Sequence, residues 1–344
     1  MQKTGYILLI SFFFSTSIVN AQVVDTAKAN QWVDSVMNSL QPDERIGQLF
    51  TVAAFSNKDS LHVKEIAKLV KDYKIGGLCF FQGGPVRQAN LTNYYQSLAK
   101  TPLLISIDGE WGLSMRLDST VRYPKQMALG AINENQLIYD FGVETARQCK
   151  RMGIHLNFAP VVDVNNNPRN PVINDRSFGE DKYRVAAKSI EYMRGLQDNG
   201  LIATAKHFPG HGDTATDSHL GLPSINFSSE RIDEVELYPF KKIINAGVSS
   251  VMVAHLDIPA LDAGIPSSLS QKTVQVLLQD SLKFKGLVIT DALNMKGASG
   301  ISPKYGIDVA AFLAGNDILL IPNNVSIAIK KMKRAFKAKK FSEE

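Results

Sequence analysis

Cysteine is scarce: Cys79 and Cys149 are the only two in 344 residues. Both stand in apolar or helical patterns, which excludes a disulfide framework and reads as two buried free thiols. Beyond the N-terminal stretch, no apolar run approaches the roughly 20 residues that a membrane-spanning helix needs. A strong charge of one sign is missing too. The net charge is +5, and much of the excess falls in "KKMKRAFKAKK" (Lys330–Lys340), which reads as the solvated face of a final helix. Basic residues interleaved with aromatics over a broad surface are absent, which excludes a nucleic-acid partner. Linkers, internal repeats and low-complexity tracts are also lacking. What remains is an ordinary globular composition, 44% hydrophobic and 21% charged, at a length suited to one large α/β domain.

The N-terminus departs from that composition. "MQKTGYILLISFFFSTSIVNAQ" holds one lysine, an apolar run from about Tyr6 to Ile18, and small residues at Val19 and Ala21. This is the grammar of a secretory signal peptide covering residues 1–21, cleaved after Ala21. No cysteine follows the run, which argues against a lipid anchor. The mature chain, 22–344, is expected to be exported, periplasmic or secreted, and free of the membrane.

Eight β-rich runs then recur, at 48–54, 76–81, 103–108, 154–164, 203–208, 250–256, 286–292 and 317–322. Helix-period segments lie between them. Ser60 is expected to cap one helix, which stops at Gly76-Gly77. Asn133 with Gln136 reads as a capping box for a second. A third, "SSERIDEVELYPFKKIINAG", starts at a serine and stops at a glycine. Near-continuous apolar strands alternating with amphipathic helices predict a parallel sheet covered by helices. Eight such units fit a (β/α)8 TIM-type barrel, a single catalytic domain, better than an open doubly wound sheet, because no glycine-rich phosphate turn follows the first strand. In such barrels chemistry sits at the C-terminal strand ends, here Asp108, Asp163, Lys206-His207, His255 and Asp291. The longest irregular stretches, 109–132, 165–180 and 209–228, would form the rim.

One of those stretches collects ionisable groups. "TAKHFPGHGDTATDSHLGLP" (Thr204–Pro223) holds His207, His211, Asp213, Asp217 and His219. As metal ligands they lack a scaffold, since Pro209, Gly210 and Gly212 break any helix and strand 48–54 offers no ligand. Asp217-Ser218-His219 can instead set a carboxylate beside an imidazole as a proton-transfer pair. Taken alone, a bare Asp-x-His is more often a surface pair that never meets. Asp291 has two readings as well: a cap for the next turn, or a carboxylate pointing into the barrel mouth. A nucleophilic carboxylate opposite an acid/base group is the minimum equipment for retaining glycoside hydrolysis.

"KHFPGHGDTATDSH", with "PVINDRSFGED" upstream and "ITDALNMKG" downstream, resembles glycoside hydrolase family 3, and more narrowly its β-N-acetylhexosaminidase branch. The resemblance runs from about Asn30 to Lys340. It implies Asp291 as the nucleophile of a covalent glycosyl-enzyme intermediate and His219, oriented by Asp217, as acid/base. It further implies Asp108, Arg116, Arg176, Lys206 and His207 as substrate-binding residues, and neither cofactor nor metal. The expected activity is a retaining exo-β-N-acetylglucosaminidase acting on N-acetylglucosaminides such as peptidoglycan fragments. A phosphorylase or β-glucosidase of the same family, and a non-catalytic sugar-binding barrel, are the alternatives. A buried ion-pair network that merely closes the mouth is the other reading of Asp108, Lys206 and Arg176. Two features depart from the family pattern. Its Glu-Gly-Gly reads Glu110-Trp111-Gly112, with Leu113 where a polar residue is expected, so Trp111 could stack on a sugar or pack against another domain. The chain also stops just past its last barrel helix, where some relatives continue into further domains.

Overall fold

The computed structural model describes residues 26–217, 221–301 and 303–342. The chain divides into two compact units at Leu40–Gln41. The first contributes one helix, Thr26–Ser39, with Trp32 and Val33 exposed.

The second unit is the expected barrel. Its strands are β1 Phe50–Ala54, β2 Gly77–Phe80, β3 Leu104–Ile107, β4 Leu156–Asn157, β5 Ile202–Phe208, β6 Ser250–Val253, β7 Leu287–Thr290 and β8 Leu319–Leu320. All pairings are parallel, in the order β7-β6-β5-β4-β3-β2-β1-β8. A parallel bridge between Ile289 and Ile318 brings β7 to β8 and nearly closes the ring. Alternate residues of each strand serve two layers. Leu78, Phe80, Ile105, Ile107, Val251 and Val253 pack in the layer shared with the helices. Cys79, Leu156, Phe158, Met252, Ile289 and Leu320 fill the barrel's interior. Burial on both sides explains why the strands read as continuous apolar runs.

Most strands are shorter than their apolar runs. The run 154–164 pairs with β5 only at Leu156 and Asn157, plus a bridge from Val161 to Lys206. Pro160, which has no amide hydrogen, interrupts the ladder. Helix starts also differ. Asp59, not Ser60, caps the helix Ser60–Tyr73, accepting from the amides of Leu61 and His62, and Lys74 in a left-handed conformation ends it before Gly76. The helix Asn135–Arg151 has Glu134 at its N-cap without a side-chain bond, so the Asn133–Gln136 box does not form. Ser228 does cap the third helix, accepting from Arg231, but that segment forms two helices, Ser229–Glu234 and Leu237–Asn245.

The final helix, Val325–Lys337, buries Val325, Ala328, Ile329, Met332 and Ala335 and turns most of its basic residues outward, as expected. Cys79 and Cys149 are both buried and free. Among the described residues no helix is long and apolar enough to cross a membrane.

Candidate active site

A cavity of about 580 Å³ opens where the strands end at their C-terminal side, lined among others by Asp108, Arg116, Arg176, Lys206, His207 and Asp291. Strand register places them. On β5 Ala203 and Ala205 pack outward, so Thr204 and Lys206 point inward. Thr204 Oγ1 lies 2.7 Å from Ser250 Oγ inside the barrel, and Lys206 stands one layer above. Asp108 follows β3. Its neighbour Gly109 is pinned by Asn157 of β4, whose Oδ1 accepts from the Gly109 amide (2.9 Å) and whose Nδ2 donates to its carbonyl (3.1 Å).

Five charges interlock on one wall. Lys206 Nζ is 2.5 Å from Asp108 Oδ1 and 2.7 Å from Glu110 Oε1. Arg116 donates to the second oxygen of Asp108 through Nη2 and to its carbonyl through Nε (3.1 Å). Arg176 Nη2 donates to Glu110 Oε1 at 2.6 Å. Burial raises Asp108, but Lys206 and Arg116 outweigh it and hold the carboxyl below the usual carboxylate range. Burial likewise raises Glu110, and Arg176 and Lys206 bring it down. For Lys206 burial acts downward, and Asp108 with Glu110 lifts it above the ordinary lysine value. Asp108, Glu110 and Lys206 therefore stay ionised near neutral pH, and three cations held by two carboxylates are fixed before any ligand arrives.

His207 continues the network. Its Nδ1 is 2.7 Å from Asp163 Oδ2, and its Nε2 is 3.2 Å from Arg176 Nη2. Arginine only donates, so Nε2 accepts and the ring proton lies on Nδ1, toward Asp163. Both ring nitrogens are thus occupied, and in this state His207 orients Arg176. Asp163, which has no exposed side-chain surface, also accepts from the amides of His207 (3.2 Å) and His211 (2.6 Å). Burial raises it, and His207 and His211 hold it below the usual range. Burial pushes the His211 imidazole down to about 4.

Asp291 follows β7. Its amide donates to the Val253 carbonyl (2.9 Å), and its Oδ1 accepts from the Ala292 amide (2.8 Å). No cation of the described residues forms a direct ion pair with it. Burial raises its carboxyl, but His207, His255 and the Ala292 amide leave it below the ordinary aspartate value. It is an ionised carboxylate at a cavity wall, committed to one backbone bond. β7 and β3 stand four strands apart in the ring of eight, so Asp291 and Asp108 occupy opposite walls.

Six of the expected site residues therefore surround one cavity: Asp108, Arg116, Arg176, Lys206, His207 and Asp291. Asp217 is described, half-buried, and not among the described residues lining the cavity. His219 lies outside the described residues. The ion-pair network and the cavity wall prove to be the same object, so those two readings of Asp108, Lys206 and Arg176 are not exclusive. Sequence reasoning gave Glu110 no role, although it bridges Lys206 and Arg176. Its one signal was a place in the Asp-x-Glu motif. Asp163 was legible only as a polar strand end. Leu113, expected to be polar, is buried at the start of a 3-10 turn. Trp111 is not among the described cavity-lining residues, and its ring centroid lies 5.3 Å from Lys125 Nζ. Among the described residues no three His, Cys, Asp or Glu side chains come together in a group that could hold a metal.

Comparison with known proteins sharpens the assignment. A β-hexosaminidase A from Pseudoalteromonas piscicida is 36% identical over 283 residues, 75% of this chain and 47% of that protein. A protein from Cellulomonas fimi named β-N-acetylglucosaminidase/β-glucosidase is 32% identical over 305 residues, 86% of this chain and 53% of its own length. The chain thus spans about half the length of these two relatives. The structure of a glycoside hydrolase family 3 β-N-acetylglucosaminidase from Paenibacillus sp. str. FPU-7 superposes with a TM-score of 0.83 at 36% identity, covering 88% of this chain and 60% of that one. Residues 41–344 match the glycosyl hydrolase family 3 N-terminal domain. With a (β/α)8 barrel, a charged wall at its mouth and this match over the whole of the second unit, the chain belongs to glycosyl hydrolase family 3.

Proposed function

We propose that this protein is an exported, retaining exo-β-N-acetylglucosaminidase that acts on N-acetylglucosaminides, peptidoglycan fragments among them. The observation that carries the reading is Asp291, an ionised carboxylate without a direct ion pair among the described residues, set across the cavity from Asp108, Arg116 and Lys206. A pyranose holds C1 and C4 on opposite sides of its ring. A sugar whose distal hydroxyls lie against Asp108 and Arg116 therefore presents C1 to Asp291. The preference for an N-acetylated sugar rests on the names of the relatives, and export rests on the N-terminal signal sequence.

Asp291 attacks C1 as the bond from C1 to the leaving oxygen breaks, and His219 gives that oxygen its proton. The product is an α-linked glycosyl ester on Asp291. His219, with Asp217 holding its ring, then takes a proton from water as the water oxygen bonds to C1 and the ester cleaves. Two inversions give net retention. Arg176 and Lys206, locked by Glu110, need no reorganisation when the substrate binds.

A panel of 4-nitrophenyl glycosides tests the reading. Hydrolysis of the N-acetyl-β-glucosaminide with a β-configured first product, lost in Asp291→Ala, is expected. His219→Ala should lower kcat/KM for poor leaving groups far more than for good ones. Equal loss for both would remove the acid role, and formation of sugar-1-phosphate in place of free sugar in phosphate buffer would make the enzyme a phosphorylase.

A further inference from the structure

The segment that carries Asp217 and His219 leaves the barrel at Pro209 and returns at the helix Ser229–Glu234. Its outgoing limb is packed against fixed structure. A Cβ on Gly210 would stand 2.8 Å from Glu236 Cβ, and one on Gly212 would stand 1.7 Å from the Val164 carbonyl oxygen. Behind it sits Arg231. Its Nη2 donates to Asp213 Oδ2 on the outgoing limb (3.2 Å), and its Nη1 lies 2.7 Å from each carboxylate oxygen of Glu236. Its guanidinium carbon is 4.9 Å from the ring of Phe227, on the returning limb. With its amide turned to satisfy both neighbours, Asn166 accepts from Nη2 (2.9 Å) and donates to the Val164 carbonyl (3.2 Å).

Arg231 already has a full partner in Glu236, whose side chain is 3% exposed. Bringing a second carboxylate to 15% exposure for one 3.2 Å contact returns little stability. The contact does, however, join the two ends of the loop. We infer that Asp213 and Arg231 are positioning residues: their ion pair clasps the outgoing limb to the returning one and so sets the path of the segment bearing the Asp217–His219 pair. Neither is among the described residues lining the cavity, so both act through the loop. The inference rests on the proposed acid role of His219. Fixing both ends of a loop narrows the arc between them, and small displacements of an acid group cost large factors in rate.

Asp213→Asn removes the clasp's charge and leaves the Arg231–Glu236 pair intact. It should lower kcat/KM for phenyl N-acetyl-β-glucosaminide, a poor leaving group, about fivefold, the population shift of an ion pair worth ~1 kcal/mol. For the 2,4-dinitrophenyl substrate kcat/KM should stay within about twofold, because it reports only the transfer of the sugar to Asp291, in which that leaving group departs without the proton; the later base step enters kcat alone. Asp213→Glu, which keeps the charge, should recover most of the loss. Amide exchange should quicken in peptides covering 214–228 and not in the strands. Should Asp213→Asn fail to fold, Arg231→Lys replaces it: lysine keeps a charge for Glu236 but lacks the fork that reaches Asp213, and the same selective loss is expected. Equal slowing of both substrates, no slowing, or unchanged exchange in 214–228 overturns the inference. His219→Ala run alongside separates the two proposals: without leaving-group dependence there, the acid role itself fails, whatever the clasp variants do.

Discussion

Glu110 is the residue that most of the charged wall leans on. Its carboxylate has no exposed side-chain surface and meets Arg176 at 2.6 Å and Lys206 at 2.7 Å. Glu110→Ala would leave Arg176 without its carboxylate and Lys206 with only Asp108, which Arg116 already shares, and removing one partner from such a cluster typically costs about 3–5 kcal/mol. Urea denaturation should show a loss of that order, together with a raised KM for the aryl glycosides. His211 sets a pH window. Burial lowers its imidazole from 6.5 to about 4, so between those values the unfolded chain binds the proton and the folded one does not. Its stabilising contribution, on the order of 3 kcal/mol, is complete above pH 6.5 and lost as pH falls toward 4. Denaturation midpoints should fall across that window, and His211→Asn should flatten the decline; His62 and His155, also lowered by burial, contribute in the same direction. The depressed carboxylates Asp108, Glu110, Asp163 and Asp291 weaken the fold only at lower pH. At this scale the sequence made the chemically distinctive residues legible, Asp291 and Lys206 by their strand ends. It could not reveal Glu110's role, since its partners lie 66 and 96 positions away and only the barrel brings them together.

Among the elements, β-strands were legible in number and order and less so in extent. Apolar residues such as Phe55 and Phe81 continue past the hydrogen-bonded ladder because they line the cavity, a demand that looks the same in sequence as strand membership. Caps were misplaced by one residue or more where two capping candidates adjoin, as with Asp59 and Ser60, because backbone direction chooses between them. One close approach left no periodic signature. The helices Asn135–Arg151 and Lys182–Gln197 cross at Gly142 and Gly195, where a Cβ on Gly142 would lie 2.6 Å from the Tyr192 carbonyl oxygen and 2.9 Å from Gly195 Cα. Gly142→Leu should therefore force the pair apart and destabilise the fold by about 1–3 kcal/mol in urea titration, the usual cost of overpacking. Activity of the folded fraction should persist, since neither helix supplies a described cavity residue.

For the whole molecule, the ring of eight strands does the decisive work. Asp108, Lys206, His207 and Asp291 converge because each sits at or just past the C-terminal end of a strand, and the ring sets β3 and β7 on facing walls. The alternation of apolar runs with helices made that legible, and the near closure through Ile289 and Ile318 fits it. Export belongs to this scale too. Expressed from its natural start in a secretion-competent host, the protein should appear outside the cytoplasm with Gln22 as its first residue, read by intact mass; a retained, uncleaved chain would contradict this. The central claim is that Asp291 bonds to the sugar. A 5-fluoro N-acetylglucosaminyl fluoride, which loads a retaining enzyme faster than it is released, followed by peptide mapping of the trapped protein, tests it most directly. The account predicts one added sugar on the peptide containing Asp291, and none in Asp291→Ala. A sugar attached elsewhere, or turnover without any adduct and with an α-configured product, would contradict it.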